Sequence, residues 1–245
     1  MSDNRFGIIV IGDEILNGRR KDRHFQGIGD RIRMRGYGIA WLRILSDDPA
    51  YLEEELRRTM SEDRPVFCCG GIGATPDDHT RACAAKAAGV PIEAHKEFID
   101  ILVDKFGDEA YPTRVRMADL PKGSALIPNP YNRIPGFYIN QHYFMPGFPD
   151  MAHPMTDWVL EQFYPVMNPE RQKAVWVEGA IESKLVPIMD RMMEKYPKQK
   201  LFSLPRLGEH PRIELGYRGD EIEQPFKDLL DELDASGFTY TDSCD

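Results

Sequence analysis

The chain has 245 residues, 42% hydrophobic and 29% charged, enough apolar material for one large domain or one domain with a smaller companion. Its net charge of −9 and pI near 5.2 speak against nucleic acid as a partner, because Lys and Arg clusters supply most of that affinity. No run nears the roughly 18 apolar residues of a membrane span, and residues 1–12 (MSDNRFGIIVIG) lack a secretory pattern, so no membrane partner and a cytoplasmic protein are expected.

Residues 6–11 (FGIIVI) are continuously apolar, as in a strand buried on both faces of a parallel sheet. A helix pattern spans 24–35, with Phe25, Ile28 and Ile32 on one face and Gly36 just past its end. Residues 38–45 (GIAWLRIL) read as the second strand, and Pro49 opens a helix, PAYLEEELRRTM. Residues 66–69 form a third strand and 80–88 a third helix, stopped by Gly89. This alternation predicts an α/β fold with a doubly wound, mostly parallel sheet. Ligands of such sheets sit outside the carboxyl ends of the strands, where GDEILNGRRKD, SDDP and GGIGATPDD all fall.

From about Glu93 the pattern changes. A helix is predicted at 96–106, short strands at 136–139 and 143–145, a turn at MPGFPDM and a helix at 151–163. YPVMNPERQ reads as a linker. Residues 172–236 then run strand, helix, strand, strand, helix, and TYTDSCD reads as a frayed tail. The expected domains are therefore 1–166, α/β, and 167–245, a small α+β unit.

Gly70, Gly71 and Gly73 match neither the P-loop nor the dinucleotide fingerprint. Glycines still let a ligand approach the backbone, whose N–H groups and the next helix N-terminus make an anion cradle. Asp77 and Asp78 precede that helix, and one of them is expected to cap it. The other reading has a carboxylate holding Mg²⁺ against a phosphate, or bonding a heterocycle's N–H groups. Asp13, Glu14, Asp22, Asp47 and Asp48 add acids on the first two loops. Arg19, Arg20, Lys21 and Arg23 form either a solvated turn or a phosphate partner. Cys68 and Cys69 point to opposite faces of their strand and, with Cys83 and Cys244, show no zinc spacing. His142, His153 and His210 also lack ligand spacing, and Met189, Met192 and Met193 read as core filler.

GDEILNG, SDDPAYL, GGIGATPDDHT and NRIPGFYI…MPGFPDM, in that order, resemble the molybdopterin-binding (MoCF) domain of the CinA, or competence/damage-inducible protein A, family. The resemblance runs from residue 6 to about 165, and a related pattern occurs in MogA/MoaB-type molybdenum-cofactor proteins. EGAIESKL is similar to the small unit that follows this domain in CinA-like proteins, while the deamidase domain of longer members has no counterpart. The resemblance implies a MogA/MoaB-like fold that binds molybdopterin or a related phosphorylated heterocycle or nucleotide, as a homodimer or trimer. The alternative it implies is a pyrophosphatase acting on ADP-ribose or FAD with Mg²⁺, Mn²⁺ or Co²⁺. It assigns Gly70, Gly71 and Gly73 to the phosphate loop, Asp77 and Asp78 to paired catalytic acids, and Glu14 and Asp47 to the acids of the first two loops. Gly12, Thr80, Pro146 and Gly147 complete the implied ligand contacts, and Asp77, Asp78 and Glu14 are the implied metal ligands. Cys69 stands where the family has Thr, Ala74 where it has Pro, Asp150 where Glu is usual and His24 where Asn is common.

Overall fold

The apolar runs become the inner strands of one sheet. A computed structural model describes residues 4–168, 171–179, 181–208 and 211–243; Cys244 and His210 lie outside them. The chain divides into two units, Met1–Pro169 and Glu170–Asp245. The first runs β1 (Arg5–Ile11), α1 (Asp13–Leu16), α2 (His24–Met34), β2 (Gly38–Leu45), α3 (Pro49–Met60), β3 (Val66–Cys69) and α4 (Thr80–Ala88). It continues through β4 (Ile92–Ala94), α5 (Lys96–Phe106), β5 (Asp119–Pro121), β6 (Ala125–Ile127), β7 (Gly136–Ile139), β8 (His142–Met145) and α6 (Pro149–Phe163).

Six strands pair in the order β2-β1-β3-β8-β7-β6. β1 is parallel to β2 and β3, β3 is parallel to β8, and β7 is antiparallel to both β8 and β6. Within this sheet β7 runs against the rest, giving the doubly wound, mostly parallel α/β architecture. The short β4 and β5 pair separately.

Alternation along the strands feeds two cores. Ile9, Val66, Cys68 and Phe144 pack toward Leu52, Leu56, Phe98 and Leu102. Ile8, Val10, Phe67, Cys69 and Met145 pack toward Ile28, Ile32, Met155 and Val159. Cys68 and Cys69 thus serve opposite cores, and burial pushes both thiols up, away from the reactive thiolate. One helix face differs from expectation. His24, not Phe25, heads the buried face of α2, ahead of Ile28 and Ile32. Asp22 accepts from the His24 N–H at 2.9 Å and lies 3.0 Å from its Nδ1, which turns the ring inward.

The second unit runs β9 (Gln172–Glu178), α7 (Glu182–Lys195), β10 (Lys200–Arg206), β11 (Arg212–Arg218), α8 (Glu223–Ala235) and β12 (Tyr240–Asp242). Its antiparallel sheet has the order β10-β11-β9-β12, the split βαβ topology. The tail expected to fray is partly a strand: Tyr240 pairs with Val177 and Asp242 with Val175. The Tyr240 side chain packs on the unit's core, and that burial anchors the pairing. Met192 is core as expected and Met189 packs against it, whereas Met193 is exposed.

Two predictions follow from the packing. Phe144 is fully buried and stacks on Phe137 at 4.5 Å, so Phe144→Ala should cost about 3–5 kcal/mol in denaturant unfolding. The second concerns acid. His142 is buried between the Asn140 carbonyl and the Thr59 hydroxyl. Burial holds its pKa down to about 4 against 6.5 when unfolded, opposed by the Asn140 carbonyl and by Glu62. As pH falls from 6.5 toward about 4, the unfolded chain takes up this proton and the folded one does not, so stability falls through that window. His142→Gln cannot titrate and should flatten the curve of Tm against pH there; an unchanged slope would assign the acid lability to other groups.

Candidate functional site

The carboxyl ends of β1, β2, β3 and β8 are tied together by backbone. The Gly12 N–H donates to the Leu45 carbonyl and the Gly70 N–H to the Met145 carbonyl, both at 3.0 Å. At Gly70 (φ 115°) an added Cβ would lie 2.2 Å from the Ile11 carbonyl oxygen; at Gly71 (φ 67°) it would lie 2.2 Å from Thr80 Oγ1. The chain's own packing therefore demands these glycines before any ligand does. Gly147 of the late turn lies against Gly70, an added Cβ there standing 3.4 Å from the Gly70 Cα. Pro146 is half-buried beside it.

Thr80, expected to touch ligand, is turned inward. It is fully buried, its hydroxyl donates to the Gly70 carbonyl at 3.0 Å and its N–H to the Gly71 carbonyl at 3.1 Å. Arg81 was not singled out by the sequence. Its guanidinium donates to the Gly73 carbonyl at 2.7 Å and to the carbonyls of Arg116 and Asp119, clamping the glycine loop to a distant segment. Between these anchors, the N–H groups of Gly71, Ile72 and Gly73 donate to no acceptor among the described residues.

The paired acids do not cap α4. Its N-cap is His79, without a side-chain bond. Asp78 instead closes a turn: its Oδ2 accepts from the Thr75 N–H at 2.9 Å and from the Thr75 hydroxyl, and its own N–H donates to the Thr75 carbonyl. That turn aims the carboxylate at Gly73, where a Cβ would meet Asp78 Oδ2 at 2.6 Å. Asp77 is exposed, and the Thr75 hydroxyl holds its carboxyl below the usual range.

Two of the other loop acids cap helices. Asp48 accepts from the Tyr51 N–H at 2.8 Å at the start of α3. Asp22 accepts from the His24 and Phe25 N–H groups; burial works against its charge, but these bonds and the His24 ring hold the pKa below the usual range. The His24 ring leaves Nε2 buried without a partner among the described residues.

Asp13 and Asp47 latch the first two loops together. The Asp13 N–H donates to Asp47 Oδ2 at 2.9 Å, and the Asp47 N–H to Asp13 Oδ1 at 3.4 Å. Burial raises the Asp47 pKa; the Asp13 N–H opposes this, and the charges of Asp13, Glu14 and Asp77 add to the rise. Glu14 folds over Gly12, where a Cβ would lie 2.7 Å from Glu14 Oε2, and pairs with Arg20 at 3.6 Å. Arg20 also stands 5.9 Å from the centre of the Phe148 ring on the late turn. Glu14, Asp77 and Asp78 thus have separate partners and are not gathered around one point. Among the described residues no three His, Cys, Asp or Glu side chains are placed to share a metal ion. No helix of the described residues is long and apolar enough to cross a membrane.

A protein of Caldivirga maquilingensis is 29% identical over 237 residues, covering 94% of this chain and 87% of that one. A CinA-like protein of Citrifermentans bemidjiense is 29% identical over 232 residues, 91% of this chain; the match spans 55% of that protein's length. The crystal structure of CinA, a protein of unknown function from Thermoplasma acidophilum, superposes on 66% of this chain and 98% of its own with a TM-score of 0.60 at 24% identity, a likeness of fold. The family described as the probable molybdopterin binding domain matches residues 7–166. The chain belongs to that molybdopterin-binding domain family, as a CinA-like member.

Proposed function

We propose that the carboxyl edge of the first unit binds the phosphate of molybdopterin or of a related phosphorylated heterocycle or nucleotide. One observation carries this reading: three consecutive N–H groups, Gly71 to Gly73, stand without acceptors at the ligand edge. Successive backbone N–H groups in a glycine-rich turn make an anion site, and Thr80 and Arg81 hold this one in shape. Membership in a molybdopterin-binding family supports a pterin phosphate as the ligand. The residues fit that group to this extent: the loop supplies donors and no bulk, and Arg20 supplies a nearby positive charge.

A second reading is favoured by the crowding at Asp47. Carboxylates of the first loop, the second loop and the glycine loop repel one another there, and a divalent cation would relieve the repulsion. Mg²⁺ commonly takes one or two carboxylates and fills its remaining positions with water and substrate phosphate. In this reading the edge hydrolyses the phosphoanhydride of ADP-ribose or FAD. Asp47 and Asp77 would hold the cation, and the N–H groups of Gly71 to Gly73 would receive the phosphate oxygens.

Asp47→Asn separates the two. Asparagine keeps an oxygen for the Asp13 N–H and removes a charge. If the edge is a receptor, calorimetric titration with molybdopterin or ADP should show equal or tighter binding by the variant. If the edge is a hydrolase, release of AMP from ADP-ribose or FAD with Mg²⁺, Mn²⁺ or Co²⁺ should be lost in Asp47→Asn, in Asp78→Ala and in chelator. Folded wild-type protein that neither binds nor turns over any of these compounds would end both readings.

A further inference from the structure

The same edge of the sheet opens onto a second space. Because β7 runs against β8 and β6 against β7, Gly136 and Ile127 lie at the Met145 end of β8. The connection 128–135 therefore leaves the sheet on the side of the glycine loop. A pocket of about 510 Å³ lies there, walled by Glu97 and Ile101 of α5, Leu126 of β6, Trp158 of α6, and Asn129, Arg133 and prolines of the connection.

This wall is pre-shaped. Asn129 is buried; its Oδ1 accepts from the Tyr131 N–H at 3.0 Å, and its Nδ2 donates to Asn132 Oδ1 at 2.8 Å. Asn132 Oδ1 also accepts from the Ile134 N–H at 2.9 Å, and its Nδ2 reaches the Met151 sulfur at 3.5 Å, in the first turn after Pro146 and Gly147. Arg133 takes φ 64°, a backbone state that a non-glycine residue keeps when its surroundings enforce it. Its guanidinium pairs with Asp104 at 2.7 Å in an exposed contact, leaving other N–H donors at the pocket.

The chemistry of this space suits a flat heteroaromatic ring. Trp158, Ile101, Leu126 and the prolines offer an apolar surface, Arg133 offers donors, and Glu97 offers an acceptor for ring N–H groups. Glu97 and Asp104 make it a poor second phosphate site. β6 lies two strands from β8, about 10 Å at ordinary strand spacing, so one extended ligand can reach both places.

We infer that this pocket holds the second ring of a phosphate-bridged, two-ring ligand, a dinucleotide such as FAD, whose phosphates lie on the N–H groups of Gly71 to Gly73. The inference rests on the proposed phosphate site and adds to it a preference for dinucleotides over mononucleotides. The test is calorimetric titration of the whole chain with FAD and with ADP, in chelator so that nothing turns over. Trp158→Ala and Arg133→Gly should each weaken FAD about tenfold or more and leave ADP unchanged. Arg133→Gly is the safer variant for folding, because glycine takes the left-handed backbone without strain. FAD affinity unchanged in both variants would overturn the pocket while leaving the phosphate site standing. FAD binding that depends on Trp158, with no binding of ADP, would keep the pocket and end the phosphate assignment. Binding of neither compound overturns both.

Discussion

The ligand edge depends on a contact with no side chain in it. Gly70 passes the end of β1 so closely that a single methyl group would strike the Ile11 carbonyl, while its own N–H is fixed by β8 and Gly147 lies against it from the late turn. Three strand ends are held at backbone distance by that one crossing. The loop that leaves it has its course set by Thr80 from beneath and Arg81 from the side. Rigid attachment at both ends is what allows the intervening N–H groups to stand unpaired and point the same way, the arrangement that an anion needs.

The acidity of the neighbouring loops looks contradictory beside such a cradle, and the structure resolves much of it into local work. Asp48 and Asp22 cap helices, Asp78 closes its own turn, and Asp13 and Asp47 latch two loops through each other's N–H groups. What is left over is electrostatic: the acids converge on Asp47, which burial and its neighbours keep reluctant to ionise. A site whose carboxylates are already committed to the backbone can hold its shape with or without a cation. For that reason, charge removal at Asp47 is more informative than truncation.

The inner sheet was legible because its strands are buried on both faces and so read as unbroken apolar runs; Pro49, Gly36 and Gly89 marked the helix ends. The three-residue strands β4, β5 and β6 carry no period of their own and are defined by partners far away in the chain. The final strand was misread for the same reason, since Tyr240 is held by a core assembled from residues as distant as Val177. At the site, the glycine loop and its position at the ligand edge could be read. The cap assignment of Asp77 and Asp78 could not, because it depends on whether the 75–78 turn closes on itself. Arg81 and the pocket beside Trp158 had no local signal. Each joins segments separated by tens of residues, and such contacts leave no spacing to read.

The adjacent cysteines of β3 have a practical meaning. Cys68 and Cys69 sit one residue apart on the same strand yet belong to different helix layers, and both are sealed from solvent. An alkylating reagent can reach Cys68 only when the layer of α3, α4 and α5 lifts, and Cys69 only when the layer of α2 and α6 lifts. Mass spectrometry of the 68–69 peptide after timed labelling would therefore read two opening rates from one strand, showing which face of the sheet loosens first.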